Sequence, residues 1–329
     1  MRATAWAACL ALTLASAAVG NEPKRPFLAY HASWYEVPAT SGDTTTLARL
    51  PGFIDTVLLG FAKPNMTYKG DLDLSRTGLQ YPFPGRVLKE AIGLLKTRHP
   101  GTRVLIAVGG SGYNGGWGQL DESAIGRLVR DLGADGVDID YEPPSPGCRR
   151  EREQVVCASD RTWIELVQRF RVVLPRPAVL TVPGWSVGAY GEGDFAQDSP
   201  RSPFTGVMLG LLRSPVAREI DAISIMGYDA GPSFDPVRAA LAYRKYWPGA
   251  LAVGVPVLAG TNGGPRFTES YTHQILTQVV RQPDTGAMLY ALRETPPGVL
   301  TKDNPDYRML ARTICSVLIN AEACDVPVP

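Results

Sequence analysis

The sequence predicts a single (β/α)8 barrel, and three observations carry that prediction. Eight short apolar runs rich in β-branched residues alternate with stretches whose apolar residues recur at helical spacing. The eight units occupy about 280 residues, close to the size of one such barrel. The polar residues able to do chemistry gather at the C-terminal ends of the runs, where barrel enzymes carry their active sites: Asp138, Asp140, Glu142, Tyr228 and Tyr290. A doubly wound open sheet is the rival arrangement of the same alternation.

In order, the strand runs begin at Phe27 (FLAYHASW), Thr56 (TVLLGFA), Arg103 (RVLIAVGG) and Gly136 (GVDIDYE). They continue at Ala178 (AVLTVPGW), Ala222 (AISIMGYD), Leu251 (LAVGVPV) and Ala287 (AMLYAL). Helical periodicity runs over 85–98 and 122–132, and Asp160 reads as the N-cap of a helix ending at Val173. Asp235-Pro236 opens another, with proline at the first helical position. Further helices are expected over 204–212, 268–281 and 305–319. The pattern is poorest around Thr45–Leu50, before the second strand. About 29 residues separate runs seven and eight, enough for a helix and loops but not for a second domain.

The 329 residues, 45% of them apolar, suffice for one large core. A formal charge of +1 with evenly spread charges gives no reason to expect nucleic acid or an acidic membrane as partner. Residues 1–20 have the layout of a secretory signal: Arg2, the apolar run WAACLALTLA, then small residues, with cleavage expected between Ala17 and Asn21. That run is too short to span a bilayer, and no later segment is apolar enough. The expected division is therefore a signal over 1–20 and a catalytic barrel over 21–329, secreted to the extracellular or periplasmic space, as a monomer. Cys9 leaves with the signal. The remaining Cys148, Cys157, Cys315 and Cys324 allow three pairings, of which Cys148–Cys157 with Cys315–Cys324 is the simplest in an oxidising compartment. No CxxC occurs and there are three histidines, so no zinc site is expected.

The run DGVDIDYEP (135–143) places Asp138, Asp140 and Glu142 on one strand face. Three carboxyls at this spacing, roughly 7 Å apart at Cα, repel one another unless protons are shared. Such crowding suits a general acid kept protonated near neutrality, with Glu142 at the open end of the strand reaching a glycosidic oxygen. A divalent metal is the alternative use of three carboxylates, but neither a calcium loop nor a phosphate-binding loop accompanies them.

The pattern Asp135-x-x-Asp138-x-Asp140-x-Glu142 resembles the signature of glycoside hydrolase family 18, the chitinase family, and the resemblance runs the length of the mature chain. Met226-Gly227-Tyr228-Asp229 is similar to that family's Met-x-Tyr-Asp element, and Val108-Gly109-Gly110 to its Ser-x-Gly-Gly element. The resemblance implies a retaining mechanism without an enzymic nucleophile or cofactor, in which the substrate's own N-acetyl group attacks the anomeric carbon. It implies Glu142 as acid and then base, Asp140 as the group orienting the acetamide, Asp138 as its proton-sharing partner and Tyr228 as a donor to the acetamide oxygen. Asp229 would contact the distorted sugar, and Tyr30 would support the aspartates from below; Met226, Tyr290 and Trp185 complete the expected substrate-binding set, and Asp135, Gly109 and Gly110 are expected to be structural. Two positions depart from the family: its strand-three serine is Ala107, and its strand-eight tryptophan is Tyr290. Its insertion domain is absent, which implies an open groove. The expected substrate is a β-1,4-linked N-acetylglucosamine polymer or oligosaccharide; an endo-β-N-acetylglucosaminidase or a chitin-binding relative with little catalysis are the alternatives.

Other signals compete. Gly110–Gly115 matches GxGxxG after a strand, but helical periodicity resumes only near Glu122, so a loop over the barrel mouth is expected rather than a dinucleotide site. No Gly-x-Ser-x-Gly elbow occurs. Trp34, Tyr113, Trp117, Trp185 and Tyr190 lie at or beyond strand ends, where they serve either as sugar platforms or as packing. Trp163, at helical spacing with Leu166 and Phe170, reads as core. Asn65-Met66-Thr67 matches a glycosylation sequon.

Overall fold

A computed structural model describes residues 25–260, 263–319 and 322–329; the expected signal segment lies outside them. Eight parallel strands close into a barrel: β1 (Phe27–Ala32), β2 (Thr56–Ala62), β3 (Arg103–Gly109), β4 (Gly136–Asp140), β5 (Val179–Gly184), β6 (Ala222–Ile225), β7 (Ala250–Pro256) and β8 (Thr285–Leu292). Each strand pairs with its sequence neighbours, and β1 closes the ring against β8. All eight coincide with the apolar runs because a parallel strand covered on both faces needs apolar residues at nearly every position.

Among the described residues, seven helices pack outside: α1 (Gly85–Arg98), α2 (Glu122–Leu132), α3 (Asp160–Val173), α4 (Leu209–Arg213), α5 (Pro236–Arg244), α6 (Glu269–Val279) and α7 (Tyr307–Leu318). Asp121, Asp235, Thr268 and Asp306 each accept a backbone N–H at the start of α2, α5, α6 and α7. Among the described residues, α6 is the only helix between β7 and β8, so no insertion domain interrupts the barrel there.

Three helical expectations change. Asp160 is the first residue of α3 rather than its cap, and its carboxylate accepts the Cys157 N–H. The expected 204–212 helix contracts to α4, because Gly206 takes φ +83° and breaks the turn before it. Only 3-10 turns (Ser33–Tyr35, Gly42–Thr44, Leu47–Arg49) join β1 to β2. There the Thr45 hydroxyl donates to Gly42 O and accepts the Ala48 N–H, bonds that compete with a helical ladder.

Two apolar regions result. The larger lies between strands and helices and includes Trp163, fully buried as expected. The smaller fills the barrel around Leu28, Tyr30, Leu58, Leu105, Ala107 and Met288. Polar side chains enter that inner core at Asp138, Thr181 and Ser224, and a buried acid in such a place requires partners. Both expected disulfides form, Cys148–Cys157 and Cys315–Cys324. The first closes a hairpin of two short strands (Arg149–Glu151 and Gln154–Val156). No described helix is long and apolar enough to cross a membrane.

Candidate active site

The acidic strand ends at the mouth of the barrel because β4 fits tightly between its neighbours. A Cβ at Gly136 would lie 1.9 Å from Val179 O, so only glycine starts this strand. Before it, Asp135 sits at the opposite end of the barrel, where its carboxylate accepts the Val104 N–H at 2.8 Å and pairs with Lys96 at 2.8 Å. At the end of β3, Gly109 and the following Gly110 take φ +106° and +75°, and a Cβ on Gly109 would meet Asp140 O at 2.2 Å. This turn lets the Gly110 N–H donate to Asp140 O at 2.9 Å, fixing the end of β4.

Asp138 is fully buried beneath the mouth. Its Oδ2 accepts the Tyr30 hydroxyl at 2.7 Å and its Oδ1 the Thr181 hydroxyl at 2.6 Å. Burial raises its carboxyl to about 6 despite those two bonds, which act downward. Ala107, Asp138 and Thr181 lie in one register row across β3, β4 and β5. The hydroxyl missing at position 107 is thus supplied from the other neighbouring strand. Thr181 had no signal in the sequence beyond a β-branched residue in a strand.

Asp140 is 5% exposed, and its Oδ1 is buried without a hydrogen-bond partner. Burial first, then the negative charge of Glu142 and Asp138, holds its carboxyl well above the ordinary range. Glu142, half-buried, is raised to about 7 by desolvation, with a hydrogen bond from the Ser111 backbone opposing and the charge of Asp229 assisting. A protonated carboxyl near neutrality beside an orphaned acceptor is the arrangement a general acid requires.

A cavity of about 620 Å3 opens above these groups. Asp140 and Glu142 line it together with Trp34, Phe61, Tyr113, Trp185, Met226, Tyr228, Asp229 and Tyr290. The Tyr228 and Tyr290 rings stack at 5.7 Å, and Tyr290 stands edge-on to Tyr30 at 5.3 Å. Burial first, then neighbouring charge, keeps the Tyr228 hydroxyl well above its usual range, so it is a donor. Trp185 stacks on Phe204 at 3.9 Å, and its Nε1 has no partner. Trp34 is 40% exposed and lies parallel to Phe61 at 6.2 Å. Phe61 was missed in the sequence, although an aromatic at the end of an apolar strand was a usable sign. Trp117 and Tyr190 are buried in packing, and so are not platforms. Residues 111–119 form 3-10 turns with α2 starting only at Glu122, so no helix opens within the glycines. Among the described residues no cluster of three or more His, Cys, Asp or Glu is arranged to hold a metal.

Solved structures share this barrel at low sequence identity. A chitinase from Rhizomucor miehei is 16% identical and aligns over 89% of this chain and all (100%) of its own, with a TM-score of 0.53. Catalytic domain 2 of a group II chitinase from Ostrinia furnacalis is 15% identical over 89% of this chain and 96% of its own, at 0.58. A family 18 chitinase from Cycas revoluta, solved with (GlcNAc)3, is 12% identical over 89% and 99%, at 0.54. The fold is that of the family 18 chitinases. No protein-family model matches the sequence of this chitinase-like barrel, and no curated protein matches it. Chitinase-like YKL-39, solved with chitooligosaccharides, has the same fold at 11% identity, 89% and 99% coverage and a TM-score of 0.59.

Proposed function

We propose that the protein is a secreted glycosidase that cleaves β-1,4-linked N-acetylglucosamine chains with retention, using the substrate's own amide as nucleophile. The observation that carries this reading is the pair at the cleft wall: Glu142 raised to about 7 beside Asp140, whose buried Oδ1 lacks a donor. An acetamide N–H satisfies that oxygen. The acetamide carbonyl oxygen then attacks C1 as the C1–O bond breaks, and the Glu142 proton goes to the leaving oxygen. The resulting oxazolinium cation is balanced by Asp140, with Asp138 taking up part of the proton below. Tyr228 donates to the acetamide oxygen, Asp229 and Met226 contact the distorted ring, and Tyr290 lies under it with Trp185 alongside. Water attacks C1 next, giving a proton to Glu142 as the bond from C1 to the acetamide oxygen breaks; the acetamide is regenerated with its N–H proton, and the configuration is restored.

A second reading, a sugar-binding relative without catalysis, draws on the departures at Ala107 and Tyr290. The Thr181 hydroxyl on Asp138 counts against it. An endo-acting enzyme on glycans would use the same chemistry. Incubation with chitooligosaccharides and with an N-glycopeptide, with products resolved by mass, separates the three. Cleavage of the former supports the proposal, cleavage of the glycopeptide alone supports the glycan reading, and binding without any cleavage overturns both. In Glu142→Gln hydrolysis should vanish while sugar binding persists; full activity there overturns the assignment.

A further inference from the structure

A second cavity, of about 460 Å3, continues the cleft on the far side of Tyr113. Gly112 and Tyr113 line both cavities, and the Tyr113 ring forms the partition, held by its hydroxyl donating to Gly78 O at 3.1 Å. The chemistry changes across that ring. On the cleft side stand aromatics and the acids Asp140, Glu142 and Asp229. On the other side stand Lys63 and Arg76, with Asn65, Thr67 and Ser75 as neutral hydrogen-bonding groups.

Among the described residues, neither cation makes an ion pair within 4.0 Å. By contrast, Arg169, Arg176 and Arg238 elsewhere on the surface each hold at least one carboxylate within that distance. The acid that feels Arg76 is Asp73, held below its usual range by hydrogen bonds from Ser75 and then by that charge, and Asp73 does not line the cavity. The Lys63 ammonium instead lies 5.5 Å from the centre of the Tyr113 ring, which draws it toward the partition.

We infer that this cavity is an anion subsite, which takes a carboxylate or sulfate group carried by a sugar of the chain bound in the cleft. The preferred substrate is then an acidic N-acetylhexosamine chain rather than a wholly neutral one. This rests on the reading of the cleft as a glycan site. Two donors of fixed charge lining one cavity, with hydroxyl and amide groups around them, match an oxyanion with several acceptor atoms. They offer nothing particular to an unsubstituted sugar. Lys63, Asn65, Thr67, Ser75 and Arg76 are all exposed, which keeps the effect moderate and salt-dependent.

The test compares neutral, carboxymethylated and 6-O-sulfated chitopentaose as substrates. The protein is made in a host without N-glycosylation, because the sequon Asn65-Met66-Thr67 forms one wall of the cavity. At low salt the acidic substrates should be favoured in kcat/KM by about three- to tenfold, the range expected of two exposed charge pairs. In the double variant Lys63→Gln, Arg76→Gln that ratio should fall to about one with turnover of the neutral substrate unchanged. Preference for both acidic substrates identifies charge as the selector; preference for one adds geometry, and both results support the subsite. Equal rates for all three, or a preference untouched by the double variant, overturn it. Binding of the same sugars to Glu142→Gln, followed by tryptophan fluorescence, separates this from the function itself. If nothing is cleaved but acidic sugars bind more tightly through Lys63 and Arg76, hydrolysis fails and the subsite stands.

Discussion

The Thr181 hydroxyl donates to Asp138 Oδ1 at 2.6 Å across the β4–β5 pair, opposite the side on which Ala107 leaves Asp138 without a donor. Together with Tyr30 on Oδ2, it gives a carboxylate buried in the barrel core two short hydroxyl bonds. Those bonds act against the desolvation that raises Asp138 to about 6, so under the proposed mechanism they would set how readily it shares a proton with Asp140.

Replacing Thr181 with valine keeps the shape and removes the donor. A hydrogen bond to a charged group is worth about 1.5–3 kcal/mol, so kcat should fall by roughly tenfold or more. Asp138 loses a lowering contact, so the acid limb of the kcat/KM profile should move to higher pH. Thr181→Ser should restore both, and Ala107→Ser in the Thr181→Val background should restore them in part by returning a hydroxyl to the register row. An unshifted acid limb in Thr181→Val, even with a lower Tm, removes Thr181 from the catalytic argument.

The alkaline side of the profile belongs to Glu142. With its carboxyl at about 7, kcat/KM should decline above that pH as the acid loses its proton. Stability gives the same group a second readout. Because the folded state holds this proton more tightly than the unfolded chain, whose glutamate titrates at 4.5, the contribution is full below 4.5 and is lost as pH rises through about 7. Tm should therefore fall between pH 4.5 and 7 more steeply in the native chain than in Glu142→Gln. Parallel curves would place the group in solvent with an ordinary carboxyl.

The barrel was legible because eight buried parallel strands must be written as apolar runs, and the acids because three carboxyls on one strand face have no structural use. What escaped depends on register. Nothing in AVLTVPGW tells that Thr181, rather than Val179 or Pro183, stands beside Asp138, since that follows from how β5 slides against β4. Trp117 and Tyr190 were ambiguous for a related reason. An aromatic just past a strand packs inward or faces the cleft according to the turn after it, and Trp117 is drawn under Gly109 by a turn made of glycines.

The buried pair behind β1 carries the acid-side prediction. Glu36 Oε2 lies 3.1 Å from His31 Nε2 and accepts the Thr46 hydroxyl, while its Oε1 accepts the Thr46 N–H at 3.1 Å. Burial alone would raise this carboxyl, but the contacts with His31 and Thr46 overcome it and bring it to about 2. A lowered acid contributes its stability above 4.5 and loses it as pH falls toward about 2. Tm should thus drop steeply across that window in the native chain. In Glu36→Gln it should start lower and vary less, the removal of one member of a buried pair costing about 3–5 kcal/mol. An unchanged slope would mean that other carboxylates govern acid unfolding.

The Cys148–Cys157 bridge makes the last prediction, and the route from it to the cleft is specific. The bridged hairpin inserts Val155 against Gly191 and Gly206, where a Cβ on either glycine would meet the valine within 2.8 Å. The same valine is held by its N–H to Glu192 at 2.6 Å and its carbonyl to Arg213 at 2.8 Å. Two residues before Gly206, Phe204 stacks on Trp185, which lines the cleft. Removing the bridge costs at most about 2–3 kcal/mol by loop closure, and the Val155 anchors keep the hairpin docked in the folded state. The effect should therefore be read in the wall: with both cysteines changed to serine, KM for chitooligosaccharides should rise severalfold while Tm moves by only a few degrees. Phe204→Leu should raise KM in the same direction, because it loosens Trp185 without touching the bridge. A large fall in Tm with KM unchanged would make the bridge a staple of the fold and sever it from the cleft.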